Sequence, residues 1–95
     1  MELAQARKFA LSLPKAAETP HFEMSSFRVR GKIFATIPTD GAHPHIFVEE
    51  EQREPLIASE PDSYQKLWWG SKVAGVRVAL ANASPATAKE LLGSP

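Results

Sequence analysis

The chain has 95 residues, 43% of them hydrophobic and 23% charged, and its 11 basic and 11 acidic side chains cancel to zero net charge. That describes one ordinary globular domain with enough chain for one core and too much apolar content for disorder. The lack of cysteine excludes a disulfide framework, a thiolate metal site and a cysteine nucleophile, no apolar run reaches the roughly 18 residues of a membrane span, and the N-terminus is unlike a signal peptide, which points to the cytoplasm.

Residues 2–13 place Leu3, Ala6, Phe9, Ala10 and Leu13 at helical spacing, an amphipathic helix that Pro14 stops. Residues 15–21 read as a connector. The stretch 22–38, FEMSSFRVRGKIFATIP, holds two apolar-rich runs hinged at Gly31 and predicts a β-hairpin with a basic tip. Phe27 and Val29 fall on one face of its first strand, with Ser26, Arg28 and Arg30 on the other. In the second strand Ile33, Ala35 and Ile37 alternate with Phe34 and Thr36. Gly31 supplies the positive φ of a tight turn. Pro38-Thr39-Asp40-Gly41 is a second turn signal, so a third strand is expected from about His43 to Val48.

Residues 49–59 read as a helix beginning at about 51–54, which would place Pro55 in the first turn, where a missing N–H costs nothing. The preceding acids suit the positive helix start. Glu60-Pro61-Asp62 ends it. A short strand over 64–67, a turn at Trp69-Gly70-Ser71 and a longer strand over 72–81 follow, with Val76, Val78 and Leu80 facing one way and Arg77 the other. Ser84-Pro85 reads as an N-cap followed by proline at the first helical position, opening a final helix over 86–92 with Gly93 as its C-cap. The order is α-β-β-β-α-β-β-α, an α+β domain with helices packed on one face of a five-stranded antiparallel sheet.

The stretch 20–35, PHFEMSSFRVRGKIFA, resembles the signature of the MmcQ/YjbR-like family of small bacterial proteins. Ala10-Leu11-Ser12-Leu13-Pro14 with Glu18 fits the family's start, and Glu60-Pro61-Asp62-Ser63-Tyr64 its link after the second helix. Lys72-Val73-Ala74-Gly75-Val76 loosely echoes the lysine-glycine-tryptophan pattern that opens its later strand. The likeness spans nearly the whole chain as a single domain, 1–95. It implies a fold similar to bacterial frataxin (CyaY-like) and a DNA-binding role through a double wing, two projecting hairpins, within a biochemical role that is poorly defined.

Charge is unevenly spread. Arg28, Arg30 and Lys32 cluster in the first hairpin, and Lys66, Lys72 and Arg77 lie on the later strands, on either side of an acidic segment holding Glu49, Glu50, Glu51, Glu54, Glu60 and Asp62. The six basic residues are candidates for phosphate contact on the sheet face opposite the helices, against the plainer reading that they keep an exposed face soluble. Tyr64, Trp68 and Trp69 are candidates for base stacking, or for a ligand or partner surface. Trp68 and Trp69 are adjacent and point oppositely, so one is expected in the core and one partly exposed. His43-Pro44-His45 with His21 or a nearby carboxylate is a weak metal pattern, better read as surface histidines, and no metal or cofactor is expected. No Gly-x-Ser-x-Gly elbow or phosphate-binding glycine loop occurs. The reading is a non-enzymatic monomer that binds DNA weakly and without sequence preference and stays off membranes; the alternative is a protein-interaction or small-ligand module at Tyr64, Trp68 and Trp69.

Overall fold

The computed structural model describes residues 2–21, 24–39 and 41–93, with only the backbone given at Pro20 and His21. Three helices and six strands follow one another as α1 (Leu3–Ser12), β1 (Ala16–His21), β2 (Met24–Val29), β3 (Lys32–Ile37), β4 (His45–Ile46), α2 (Glu50–Ser59), β5 (Tyr64–Trp69), β6 (Lys72–Val78) and α3 (Pro85–Leu92). The strands form one antiparallel sheet in the order β1-β2-β3-β4-β6-β5. Among the described residues no helix is long and apolar enough to cross a membrane.

The α+β class and the helices on one face follow the sequence reading, but the sheet has six strands and not five. The added strand is β1, at a sheet edge, where residues 15–21 had read as a connector. Its sequence, AAETPH, has little β-propensity, and its proline is tolerable because an edge strand has one side without ladder partners. Lys15, at φ 61, turns the chain from α1 into it. The third expected strand shrinks to two residues, His45–Ile46. In α2, which starts at Glu50, Pro55 is the sixth residue. It therefore sits beyond the first turn, and the Glu51 carbonyl loses its helical donor. Glu50 and Glu51 do occupy the first turn, as the helix dipole favours. At α3, Ser84 is the N-cap and its Oγ accepts from the Thr87 N–H at 3.2 Å; Gly93 caps the other end with φ −83, not the left-handed form.

The sheet's helix face is defined by register. Phe27 pairs with Ala35, Ala35 with Ile46, Ile46 with Val76, and Tyr64 with Val78. Directly paired residues share a face, and all of these are buried in one cluster with Ala6 and Ala10 of α1 and Leu91 and Leu92 of α3. Leu56 and Ile57 of α2 pack against the same cluster. Each fully buried Phe, Val, Ile or Leu there contributes about 1.5–3 kcal/mol of burial.

Candidate functional site

Two hairpins shape one end of the sheet. The β2–β3 hairpin turns at Arg30-Gly31, with φ 55 and 81, the two positive values of a type I′ turn. The β5–β6 hairpin turns at Gly70-Ser71, with Gly70 at φ 63. Because β2 and β5 both run antiparallel to the strands between them in the same sense, the two tips project from the same end. They are also built alike. In each, one extra residue stands in the second strand just below the tip, Phe34 between the Phe27–Ala35 and Arg28–Ile33 pairs, and Ala74 between the Leu67–Gly75 and Trp68–Val73 pairs. The first bulge corrects the simple alternation read from the sequence: Ile33 shares the face of Arg28, while Phe34 is buried with its ring 6.5 Å from that of Phe27.

Although alike, the hairpins face opposite ways. Counting along β2 from buried Phe27 puts Val29 on the helix face, and Lys32, paired with it, on that face too. Counting along β5 from buried Tyr64 puts Lys66 and Trp68 on the helix face and Gln65, Leu67 and Trp69 on the open face, with Lys72 paired to Trp69. The basic residues picked out in the sequence therefore divide. Arg28, Lys72 and Arg77 lie on the open face, Arg30 sits exposed in a tip, and Lys32 and Lys66 lie on the helix face. Lys66 reaches Glu54 of α2 at 3.8 Å.

The open face has a composition of its own. Register carries one row across all six strands: Thr19, Ser26, Thr36, His45, Arg77 and Gln65, every one polar. Ser26 Oγ donates to the Thr19 carbonyl at 2.8 Å and accepts from Arg28 Nε at 3.3 Å; Arg77 Nη1 donates to Gln65 Oε1 at 3.5 Å. Beyond this row stand Arg28, Ile33, Leu67, Trp69 and Lys72. Among the described strand residues none on this face is acidic. Glu18 of β1 pairs in register with Phe27, hence on the helix face, where it meets Arg7 of α1 at 3.5 Å. The other described acids belong to the helices, the N-cap positions and the link from α2 to β5. Glu23 and Asp40 lie outside the described residues. Arg28, Lys72 and Arg77 have no carboxylate partner among the described residues.

The aromatic candidates need two corrections. Tyr64 is 0% exposed, its ring inside the core and its hydroxyl without a hydrogen-bond partner among the described residues, so it presents no surface to a base or a ligand. Burial, with the charge of Glu60 second, pushes its pKa up to about 12. Neither tryptophan is core: Trp68 is 59% and Trp69 76% exposed. They do point to opposite faces, but both stand near the tip of an edge hairpin, beyond the reach of the helices, so alternation does not bury either one. His43 and His45 are half-buried, the His21 side chain lies outside the described residues, and no group of three or more metal-ligating side chains comes together among the described residues.

Sequence reasoning did not single out a groove of about 760 Å³ on the helix face, between the first hairpin, the ends of α1 and α3 and the start of α2. Val29, Phe34, Val48 and Leu92 give it apolar walls, with Lys32 and Arg53 among its polar lining residues. Arg53 is held there by Glu54 at 3.0 Å and the Val48 carbonyl at 3.4 Å. Its lining comes from five separate segments, which no local pattern links.

Comparison with known proteins gives a consistent picture of the fold. The family model described as YjbR matches residues 11–94. The solved structure of Deinococcus radiodurans protein DR2400, which carries a DUF419 domain, superposes with a TM-score of 0.80 at 23% identity, covering 96% of this chain and 72% of that one. No curated protein matches.

Proposed function

This chain belongs to the YjbR family, and we propose that it is a non-enzymatic cytoplasmic domain that binds nucleic acid by its phosphates, through Arg28, Lys72 and Arg77 of the open sheet face and Arg30 at the neighbouring hairpin tip. The observation that carries this reading is the absence of acid among the described strand residues of that face. Zero net charge argues against a basic protein as a whole, but a ligand meets one face and not the sum. Here the described acids lie in the helices, their caps and the α2–β5 link, and the single described strand acid, Glu18, is on the helix face, which leaves the described strands of the open face cationic. Lys32 and Lys66 drop out of the contact set because they lie on the helix face, Lys66 beside Glu54. Phosphate contact carries little sequence information, so binding is weak and tolerant of sequence.

The test is fluorescence anisotropy with labelled DNA across a salt series. Four phosphate contacts give a slope of log affinity against log salt of about −3.6. Arg28→Ala with Arg77→Ala should make that slope shallower by about 2. No binding, or binding insensitive to salt, overturns the proposal. The exposure of both Trp68 and Trp69 supports a second reading, a protein or small-ligand contact at the β5–β6 tip. Quenching of tryptophan fluorescence by small metabolites in a protein that ignores DNA would favour it.

A further inference from the structure

We infer that the preferred ligand of the open face is a single-stranded nucleic acid, with a base stacked on Trp69 and the backbone led across the sheet by Lys72, Arg77 and Arg28. The inference rests on the phosphate-binding reading and goes further in naming the strand state of the ligand and the residue that senses it.

Shape comes first. The B-DNA major groove is about 12 Å wide and admits a helix or a two-stranded ribbon. From Trp69 on β5 to Arg28 on β2 the open face crosses four strand spacings, about 19 Å. A face that broad, unlike a single hairpin tip, lies across a groove without entering it. Bases of a single strand are not so protected. They can splay onto a surface and present their faces to an aromatic ring.

Chemistry agrees with shape. Trp69 is 76% exposed and stands on the open face, in register with Lys72. That pairs an indole plane for a base with an ammonium for the adjoining phosphate. Further down the same two strands, Arg77 and Gln65 are paired and linked by their own hydrogen bond, four residues or about 13 Å along β5 from Trp69. Gln65 adds a donor and an acceptor without charge. Leu67 lies between Gln65 and Trp69 on the same face and gives the bases an apolar floor. Beyond β6 the row passes His45 to Thr36 and Ser26, both buried, with Arg28 beyond them and bonded through its Nε to Ser26 Oγ. An aromatic platform joined to a cationic track is the arrangement that binds unpaired strands with little sequence preference. Trp68, one residue away and also exposed, is on the helix face and takes no part, which supplies an internal control.

The experiment compares labelled oligothymidine, oligouridine and a DNA duplex of the same length by anisotropy, with the wild type, Trp69→Ala, Trp69→Phe and Trp68→Ala. Single strands should bind about tenfold or more tighter than the duplex. Trp69→Ala should weaken single-strand binding about tenfold while leaving duplex binding unchanged; loss of one stacking contact is of that size. Trp69→Phe should restore most of it, and Trp68→Ala should match the wild type. Thermal melting verifies that each variant is folded. A stronger response to either oligothymidine or oligouridine supports the inference and identifies the favoured strand of the two. Equal or tighter duplex binding, or single-strand binding indifferent to Trp69→Ala, overturns it; in those cases a steep salt dependence keeps the phosphate-binding reading standing. Absence of binding to all three probes overturns both.

Discussion

Gly75 and Ile46 approach so closely that no side chain fits between them: a Cβ on Gly75 would collide with the Ile46 carbonyl oxygen and stand 2.8 Å from the Cα of Phe47. The extra residue Ala74 stands next to this contact, just beyond the last β4–β6 pair, Ile46 with Val76. The β5–β6 hairpin thus joins the rest of the sheet at a place where backbone must meet backbone. Gly75→Ala should destabilise the fold by about 2 kcal/mol or more, since neighbouring main chain cannot rotate aside as a side chain can. Urea unfolding measures it, and a cost under about 0.5 kcal/mol would show that β4 yields.

Tyr64 is the chain's single tyrosine, so its ionisation can be followed by tyrosinate absorbance without interference from another phenol. Its pKa is raised from 10.0 to about 12. The folded state therefore holds the phenolic proton more tightly than the unfolded state does. Stability from this group is fully present below pH 10 and is lost as pH climbs toward 12, by an amount on the order of 2–3 kcal/mol. Denaturation measured from neutral to strongly alkaline pH should decline over that interval, and Tyr64→Phe should flatten the decline. At neutral pH Tyr64→Phe should leave stability unchanged or raise it by up to about 1 kcal/mol, because it removes a buried hydroxyl that has no partner among the described residues.

Lys66 and Arg77 lie on adjacent strands but on opposite faces of the sheet. Anisotropy with the two single variants separates a face effect from a net-charge effect. Arg77→Ala should weaken binding and lower the salt slope by about 1, whereas Lys66→Ala should leave both nearly as they are. Equal losses would mean that net charge alone matters.

Ser84 holds the start of α3 through its bond to the Thr87 N–H. Ser84→Ala should cost about 1 kcal/mol in chemical denaturation. A helix of eight residues has little stability of its own, and the loss should appear as a lower midpoint with an unchanged denaturant slope, since Leu91 and Leu92 remain buried in the core.

Local chemistry was legible wherever a residue's preference agreed with its place. The stripe from Leu3 to Ala10, the Ser84-Pro85 start of α3 and the glycine turns at Gly31 and Gly70 each follow from backbone or hydrogen-bonding demands that act over a few residues. The strand β1 was not legible, because AAETPH is held extended by its pairing with β2 and not by its own propensity. Pro55 inside α2 was misplaced for a related reason: packing of Leu56 and Ile57 on the core tolerates a lost helical bond that propensity alone would forbid.

The sequence by itself determined the two hairpins and their basic and aromatic residues, because alternation and turn chemistry are local. Only the tertiary structure decided which of those residues share a face. Two bulges, at Phe34 and Ala74, interrupt the period-two count, and the two hairpins present opposite sides to the helices. That separated Arg28, Lys72, Arg77 and Trp69 from Lys32, Lys66 and Trp68, and buried Tyr64. It also kept acid off the described strands of the open face, so that a chain of zero net charge gathers Arg28, Lys72 and Arg77 there.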